Sequence, residues 1–180
     1  MSHLGQTTNL VAFLLLLARI GDVGSTYLAT PRLLLEANPI ARRFRWPFAV
    51  LTIFAAAIPY YSLPIGLAVL VASLLVCASN FSKLWLMRAM GEREYHALVV
   101  RMAGRTRLAP GMLFVLAPAI CMAALGGLLL YFYPDPESDW GYYFALGVFG
   151  YALAVAVWGS RAFLQFRREG REEDVDTPPA

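Results

Sequence analysis

The first long apolar stretch of the chain, LLLLARIGDVGSTYLAT, contains two charged residues, Arg19 and Asp22. Residues three positions apart are neighbours on a helix surface, so this guanidinium group and carboxylate can form an ion pair. A charged side chain near the centre of a membrane helix costs at least ~2.5–3.5 kcal/mol, and such residues usually face the protein interior. Ser25 and Thr26 follow within about one turn, so the stretch indicates a polar cluster that is turned away from lipid.

A second polar stripe lies in a later apolar region of the chain. Ser73, Cys77 and Asn80 have the spacing i, i+4, i+7, which places them on one face of a helix, and Lys83 follows at the end of that face. Asn80 and Asp22 each lie near the end of their own apolar region, so we expect them at similar depths. If the two stripes face each other, their polar side chains converge.

The loop between these regions contains the sequence EANP, with Glu36, Asn38 and Pro39. Pro39 disfavours the α conformation for the residue before it, and an Asn side chain can bond to the backbone two residues on. We therefore expect the chain to reverse here and to bring Glu36 close to Asp22. Two carboxylates and an amide could bind a cation there, or one carboxylate could act as a general base.

This cluster supplies the candidate functional residues of the chain. Eight side chains are candidates for ligand binding: Arg19, Asp22, Ser25, Thr26, Glu36, Asn38, Asn80 and Lys83. Two of them, Asp22 and Glu36, are also the candidates for catalysis and for metal coordination. The sequence contains no H-E-x-x-H, G-x-S-x-G or D-x-x-D motif, which would identify a metal site or an activated nucleophile. It indicates no cofactor.

The segments GDVGSTYLA and EANPIAR together resemble the signature of a small prokaryotic family of polytopic membrane proteins of unknown function. In that family an Asp precedes a Ser-Thr or similar pair, and a Glu-x-Asn-Pro sequence follows. The matching residues here are Asp22, Ser25, Thr26, Glu36, Asn38 and Pro39. The resemblance lies within residues 21–42 of the 180-residue chain. It implies that these residues form one unit, and it implies no activity.

Three classes of function remain open at this point. The favoured one is a structural or interaction protein, in which Arg19 and Asp22 form a satisfied pair and Asn80 bridges two helices. The second is a binding or carrier site for an ion, a polar ligand or a lipid head group. The third is a membrane-embedded enzyme that acts on a lipid-linked substrate through Asp22 and Glu36.

The composition is that of a membrane protein. Hydrophobic residues make up 59% of the chain and charged residues 15%, whereas a soluble domain has about 45–50% and about 25%. The two cysteines, Cys77 and Cys121, both lie in apolar runs. They predict neither a disulfide framework nor a zinc site.

The apolar regions predict an all-α, polytopic membrane protein, because a helix needs about 20 residues to cross a hydrocarbon core of about 30 Å. The predicted spans are 7–29, 47–61, 64–83, 112–133 and 141–163. The second and third share one apolar run, which Pro59 and Pro64 divide, and Ser62 could cap the later helix. An alternative has four spans and a re-entrant segment at 47–63.

The charge distribution predicts an orientation. With five spans, fourteen of the fifteen Lys and Arg residues lie in the loops and the tail on one side. The opposite side carries Asp135, Glu137 and Asp139 instead. The positive-inside rule then places the N-terminus outside and the C-terminus in the cytoplasm. We expect the bacterial cytoplasmic (inner) membrane.

The chain is predicted to form one transmembrane domain at 1–168, followed by a disordered charged tail at 169–180. The segment 91–105 is predicted to be an amphipathic helix on the cytoplasmic surface, with Leu98, Val99 and Met102 on its apolar side. The expected partners are the bilayer, anionic lipid head groups at the cytoplasmic face and another membrane protein. Binding of nucleic acid is not expected.

Overall fold

The computed structural model describes residues 3–36, 38–137 and 140–176, and these ranges contain helices and connecting segments but no strand. The all-α class is therefore confirmed for the described part of the chain. The elements are α1 (His3–Ala29), α2 (Pro39–Leu51), a 3₁₀ helix (Thr52–Ala57), α3 (Ile58–Tyr61), α4 (Leu63–Met90), α5 (Glu92–Arg105), α6 (Leu108–Phe132) and α7 (Trp140–Asp176). Asp139, predicted in an acidic loop, lies outside the described residues.

Four segments of the described chain are helices long and apolar enough to cross a membrane: Gly5–Ala29, Leu63–Met90, Leu108–Phe132 and Trp140–Glu172. Large apolar side chains on these helices face outward, among them Phe114 with 72% of its surface exposed and Leu153 with 66%. Exposed apolar surface of this extent is typical of a protein whose outer face contacts lipid.

The predicted second span at 47–61 has a different local structure from a single long helix. It comprises the end of α2, the 3₁₀ helix and α3. Proline is the main cause, because Pro47 and Pro59 lack the amide donors that an uninterrupted α-helix uses. The Thr52 hydroxyl also donates to the Ala49 carbonyl at 2.6 Å, and Arg45 kinks the chain with φ 52° and ψ −140°.

Helix α4 begins where the sequence predicts and ends later. Ser62 is extended, and its hydroxyl accepts a bond from the Ile65 amide at 3.5 Å, as expected of an N-cap. The helix continues beyond the predicted end at residue 83 to Met90. It ends at Gly91, whose φ of 82° favours glycine.

Helices α1 and α4 pack side by side and run parallel. Leu15, near the middle of α1, and Leu70, in the first half of α4, belong to the same buried cluster. Further along, Gly21 approaches Cys77 closely, and near the ends the Asn80 side chain reaches α1. Residue numbers therefore rise together along both helices, and the two helices end on the same side of the bundle.

The remaining long helices complete the bundle. Helix α6 runs antiparallel to α7, since Gly126 packs against Phe149 and Gly111 against Phe163. Helix α7 also packs closely against α4 at Gly147. The ends of α1, α4 and α7 and the beginning of α6 consequently share one end of the bundle.

Helix α5 occupies the predicted amphipathic segment 91–105, and of its predicted apolar side Val99 is packed whereas Met102 is not. Val100 and Ala103 pack against Phe166 of α7, whereas Met102 is 61% exposed. The tail also differs from the predicted disorder at 169–180, since α7 continues to Asp176. Gly170 in this extension lies against the backbone of α5, so packing on α5 stabilises the tail, and residues 177–180 lie outside the described chain.

Candidate functional site

A hydrogen-bonded network joins the two polar stripes of α1 and α4. Arg19 Nη1 donates to Asp22 Oδ2 at 3.0 Å, and the side chains are 17% and 15% exposed. Asn80 Nδ2 donates to Asp22 Oδ1 at 3.0 Å and lies 3.3 Å from Thr26 Oγ1. The stripes therefore face each other as predicted, and each carboxylate oxygen of Asp22 accepts a hydrogen bond.

Ser25 belongs to the same turn but has a separate role. It is 1% exposed, and its hydroxyl donates to the backbone carbonyl of Asp22 at 3.0 Å. This bond stays within α1, so Ser25 supports the helix and does not line the cavity described below. Arg19 Nε, in contrast, is buried without a hydrogen-bond partner among the described residues.

The loop after α1 is held by its own side chains. Glu36 Oε1 accepts a bond from the Asn38 amide at 2.7 Å, and Asn38 Oδ1 accepts one from the Ile40 amide at 3.0 Å. Asn38 is extended and forms the N-cap of α2, with Pro39 as the first helical residue. At Asn38 and Pro39, where the sequence predicts a chain reversal, the structure has the beginning of helix α2.

Glu92 is a residue of this region that the sequence did not identify. Its carboxylate, at the beginning of α5, accepts bonds from the Thr30 hydroxyl, from the Arg32 amide at 3.1 Å and from the Leu34 amide at 3.0 Å. It thereby fixes the turn in which Leu33 adopts a φ of 57°. No local signal pairs Glu92 with a loop 60 residues earlier.

A partly open cavity of about 520 Å³ lies beside the network. Seven of the eight predicted residues line it: Arg19, Asp22, Thr26, Glu36, Asn38, Asn80 and Lys83. Asp22 and Glu36 thus line one cavity, and each is held by its own hydrogen bonds. These residues come from α1, the loop that follows it and α4, so the fold gathers distant parts of the sequence.

The rest of the cavity wall is largely apolar and aromatic. Val76 of α4, Trp46 of α2 and Trp158 of α7 are among its lining residues. Trp46 is fixed by a bond from Nε1 to the Pro31 carbonyl at 3.2 Å and by an edge contact with Tyr27. The cavity therefore presents a polar wall and an apolar wall to the same space.

The geometry bears on the predicted metal-binding and catalytic roles. The described residues contain no group of three His, Cys, Asp or Glu side chains that could hold a metal ion. A cation at Asp22 would also compete with the Arg19 guanidinium group, which already lies 3.0 Å from the carboxylate. Asp22 is therefore arranged as a hydrogen-bond acceptor between helices and as part of a cavity wall.

The fold and the site together define a helical bundle with membrane-type apolar helices and a polar-walled cavity near one end. The chain matches no protein-family model, and no curated protein or solved structure matches it. The resemblance to the family with the Asp…Ser/Thr…Glu-x-Asn-Pro signature therefore stays a prediction.

Proposed function

We propose that the chain crosses the membrane five times. Helices α1 and α4 run parallel, so the chain between them has to return to the side on which α1 begins. The 3₁₀ helix Thr52–Ala57 and α3 both pack against α1. With a rise of ~2.0 Å per residue in the 3₁₀ part and ~1.5 Å elsewhere, residues 47–61 extend roughly 25 Å, close to a hydrocarbon core of about 30 Å.

The proposed orientation has the N-terminus outside and the C-terminus in the cytoplasm. The ends of α1, α4 and α7 and the beginning of α6 share one end of the bundle. The segments rich in Lys and Arg lie at these helix ends. Asp135 and Glu137 follow α6 at the other end. This separation supports a cytoplasmic basic end in a bacterial inner membrane by the positive-inside rule.

At this basic end, we infer a ligand-binding function rather than a purely structural one. The single observation that carries this inference is the cavity of about 520 Å³ on which seven polar candidates converge. Its volume is in the range of about 300–1,000 Å³ that is usual for small-molecule sites. The polar and apolar walls fit an amphiphile whose head group contacts Asn80 and Lys83 and whose apolar part contacts Trp158.

The charges of the cavity favour a lipid-type head group over a simple cation. Its charged lining residues are three cationic and two anionic: Arg19, Arg45, Lys83, Asp22 and Glu36. The Asp22 carboxylate pairs with Arg19, and Glu36 accepts the Asn38 amide. Lys83 and Arg45 can therefore contact an anionic group, while neighbouring amide and hydroxyl groups can bond to a polar head.

A structural role is the second candidate, and one observation favours it. Both carboxylate oxygens of Asp22 are satisfied by protein groups, so the network can hold α1 against α4 without any ligand. The same observation gives no support to Asp22 as a general base, and an enzymatic role stays the least supported proposal.

The binding proposal is tested by filling the cavity without altering its polar wall. Val76 lines the cavity, whereas Leu74 on the same helix is 51% exposed and does not line it. We expect Val76→Trp to lose a lipid that co-purifies with the wild type, detected by native mass spectrometry, and Leu74→Trp to retain it. Equal lipid content in both variants, with equal helicity by circular dichroism, contradicts the proposal.

A further inference from the structure

A second cavity, of about 400 Å³, lies beside the first and has a different character. We call it the arginine bay because three arginines line it: Arg32, Arg42 and Arg45. Its remaining polar lining consists of His96 from α5 and Gln165 and Glu169 from α7. The arginine bay shares Arg45 and Leu33 with the first cavity, and none of its lining residues was among the candidates predicted from the sequence.

The single acidic residue of the arginine bay is already engaged. Glu169 Oε1 accepts a bond from Gln165 Nε2 at 2.8 Å, and Glu169 Oε2 lies 3.6 Å from His96 Nε2. Arg42 is oriented by a bond from Nη1 to Gln165 Oε1 at 3.0 Å. Within the described chain, the lining arginines form no ion pair with a carboxylate. The arginine bay therefore gathers positive charge that no carboxylate of the described side chains pairs with.

The backbone holds two lining residues of the arginine bay in an uncommon conformation. Arg45 has a φ of 52° and Leu33 a φ of 57°, in the region that favours glycine. Glu92 fixes the turn that contains Leu33 through the amides of Arg32 and Leu34. Residues other than glycine that are held in such backbone conformations cluster at binding and active sites.

We propose that the arginine bay binds a phosphate group. Guanidinium groups offer paired N–H donors that match the oxygens of phosphate, and several of them in one cavity compensate the charge of a phosphate anion. The bay lies at the basic end of the bundle, where α2, α5 and α7 meet. Two sources share this chemistry, the head group of an anionic phospholipid and a free phosphate-bearing solute.

This site does not depend on the ligand of the first cavity. Arg32 and Arg42 line only the arginine bay, and Val76 lines only the first cavity. Val76→Trp is therefore expected to leave phosphate binding intact, and loss of one site alone identifies which proposal has failed.

The test uses the full chain in a maltoside detergent, with dioctanoyl phosphatidic acid and inorganic phosphate as separate probes in calorimetric titrations. We expect saturable binding that weakens about tenfold in Arg42→Gln and in Arg32→Gln, since a charge-assisted hydrogen bond contributes enough for such a loss. Arg43→Gln is the matched control, because Arg43 is the neighbour of Arg42 in α2 and lines neither cavity. We expect this control to bind within about twofold of the wild type.

Each outcome of the titrations has a defined meaning. Binding of the lipid alone supports a phospholipid head group as the source, binding of inorganic phosphate alone supports a soluble phosphate-bearing ligand, and binding of both probes supports both sources. Arg42→Lys keeps the charge but loses the paired donors, so we expect intermediate affinity. If Arg43→Gln weakens binding as much as Arg32→Gln and Arg42→Gln do, or if neither probe binds, the proposal is overturned.

Discussion

The side-chain amide of Asn80 lies 3.0 Å from Oδ1 of Asp22, and this bond joins α4 to α1 inside the bundle. The same amide lies 3.3 Å from Thr26 Oγ1, so Asn80 contacts one full turn of α1. Contacts between apolar helix surfaces are not directional, so they allow several registers. The hydrogen bonds of Asn80 require one particular register between the two parallel helices. The pair therefore links helix packing to the shape of the cavity that both residues line.

Removal of this bridge is expected to weaken the bundle modestly. Asn80→Ala loses two interhelical bonds, and bonds of this kind contribute ~0.6 kcal/mol on average and up to ~1.7 kcal/mol in membranes. We expect a loss of about 1 kcal/mol in the free energy of unfolding in mixed micelles. Ser82→Ala is the control, since Ser82 is exposed and its hydroxyl donates to the Ser79 carbonyl within α4. Equal stability of the two variants would show that the hydrogen bonds of Asn80 to α1 do not contribute to the free energy of unfolding.

A larger effect is expected when the charge of Asp22 is removed. Asp22→Asn keeps the shape of the side chain but leaves the largely buried Arg19 without its anionic partner. A lone charge in a membrane helix costs ~2.5–3.5 kcal/mol on insertion scales, so we expect a loss of about 2–3 kcal/mol. The double variant Arg19→Leu with Asp22→Asn is expected to recover most of this loss in a double-mutant cycle. A double variant no more stable than Asp22→Asn alone contradicts the ion-pair explanation.

The contact between Asp22 and Asn80 could be predicted, because both are polar residues near the ends of apolar helices and both lie on stripes of helical spacing. The partners of Glu92 could not, since they depend on where α5 packs against the loop after α1. The 3₁₀ helix at 52–57 was also beyond prediction, because its apolar residues are compatible with an α-helix as well. The spacing of polar residues thus predicts which face of a helix is polar. Contacts between residues far apart in the sequence depend on how the helices pack and cannot be predicted from local spacing.

Glu92 is expected to control the order of the loop that carries Glu36. Glu92→Ala removes the acceptor for the amides of Arg32 and Leu34, and we expect these two amides to exchange with solvent deuterium at least about tenfold faster, which corresponds to ~1.4 kcal/mol. Glu94→Ala is the control, because Glu94 lies on the same turn of α5 and is exposed. Unchanged exchange at both amides in Glu92→Ala would show that other contacts hold the turn.

Gly147 is expected to set the distance between α4 and α7. A Cβ atom at this position would lie 2.5 Å from the Ala68 carbonyl oxygen and 2.7 Å from Val71 Cβ. We therefore expect Gly147→Ala to lower the free energy of unfolding by about 1–3 kcal/mol, the usual effect of overpacking. Gly150→Ala on the same helix meets nothing within 4 Å and is expected to be neutral or slightly stabilising. Similar melting temperatures for both variants would show that α4 and α7 do not approach each other most closely at Gly147.

The five-crossing topology makes a prediction about Tyr61, the last residue of α3, which is 91% exposed. If residues 47–61 cross the membrane, Tyr61 and Arg43 lie on opposite sides. Single-cysteine variants Tyr61→Cys and Arg43→Cys, in a background with Cys77→Ala and Cys121→Ala, test this with a membrane-impermeant maleimide. We expect Tyr61→Cys to be labelled in intact cells and Arg43→Cys only after the cells are permeabilised. Labelling of both only after permeabilisation would mean that 47–61 re-enters and that the chain crosses four times.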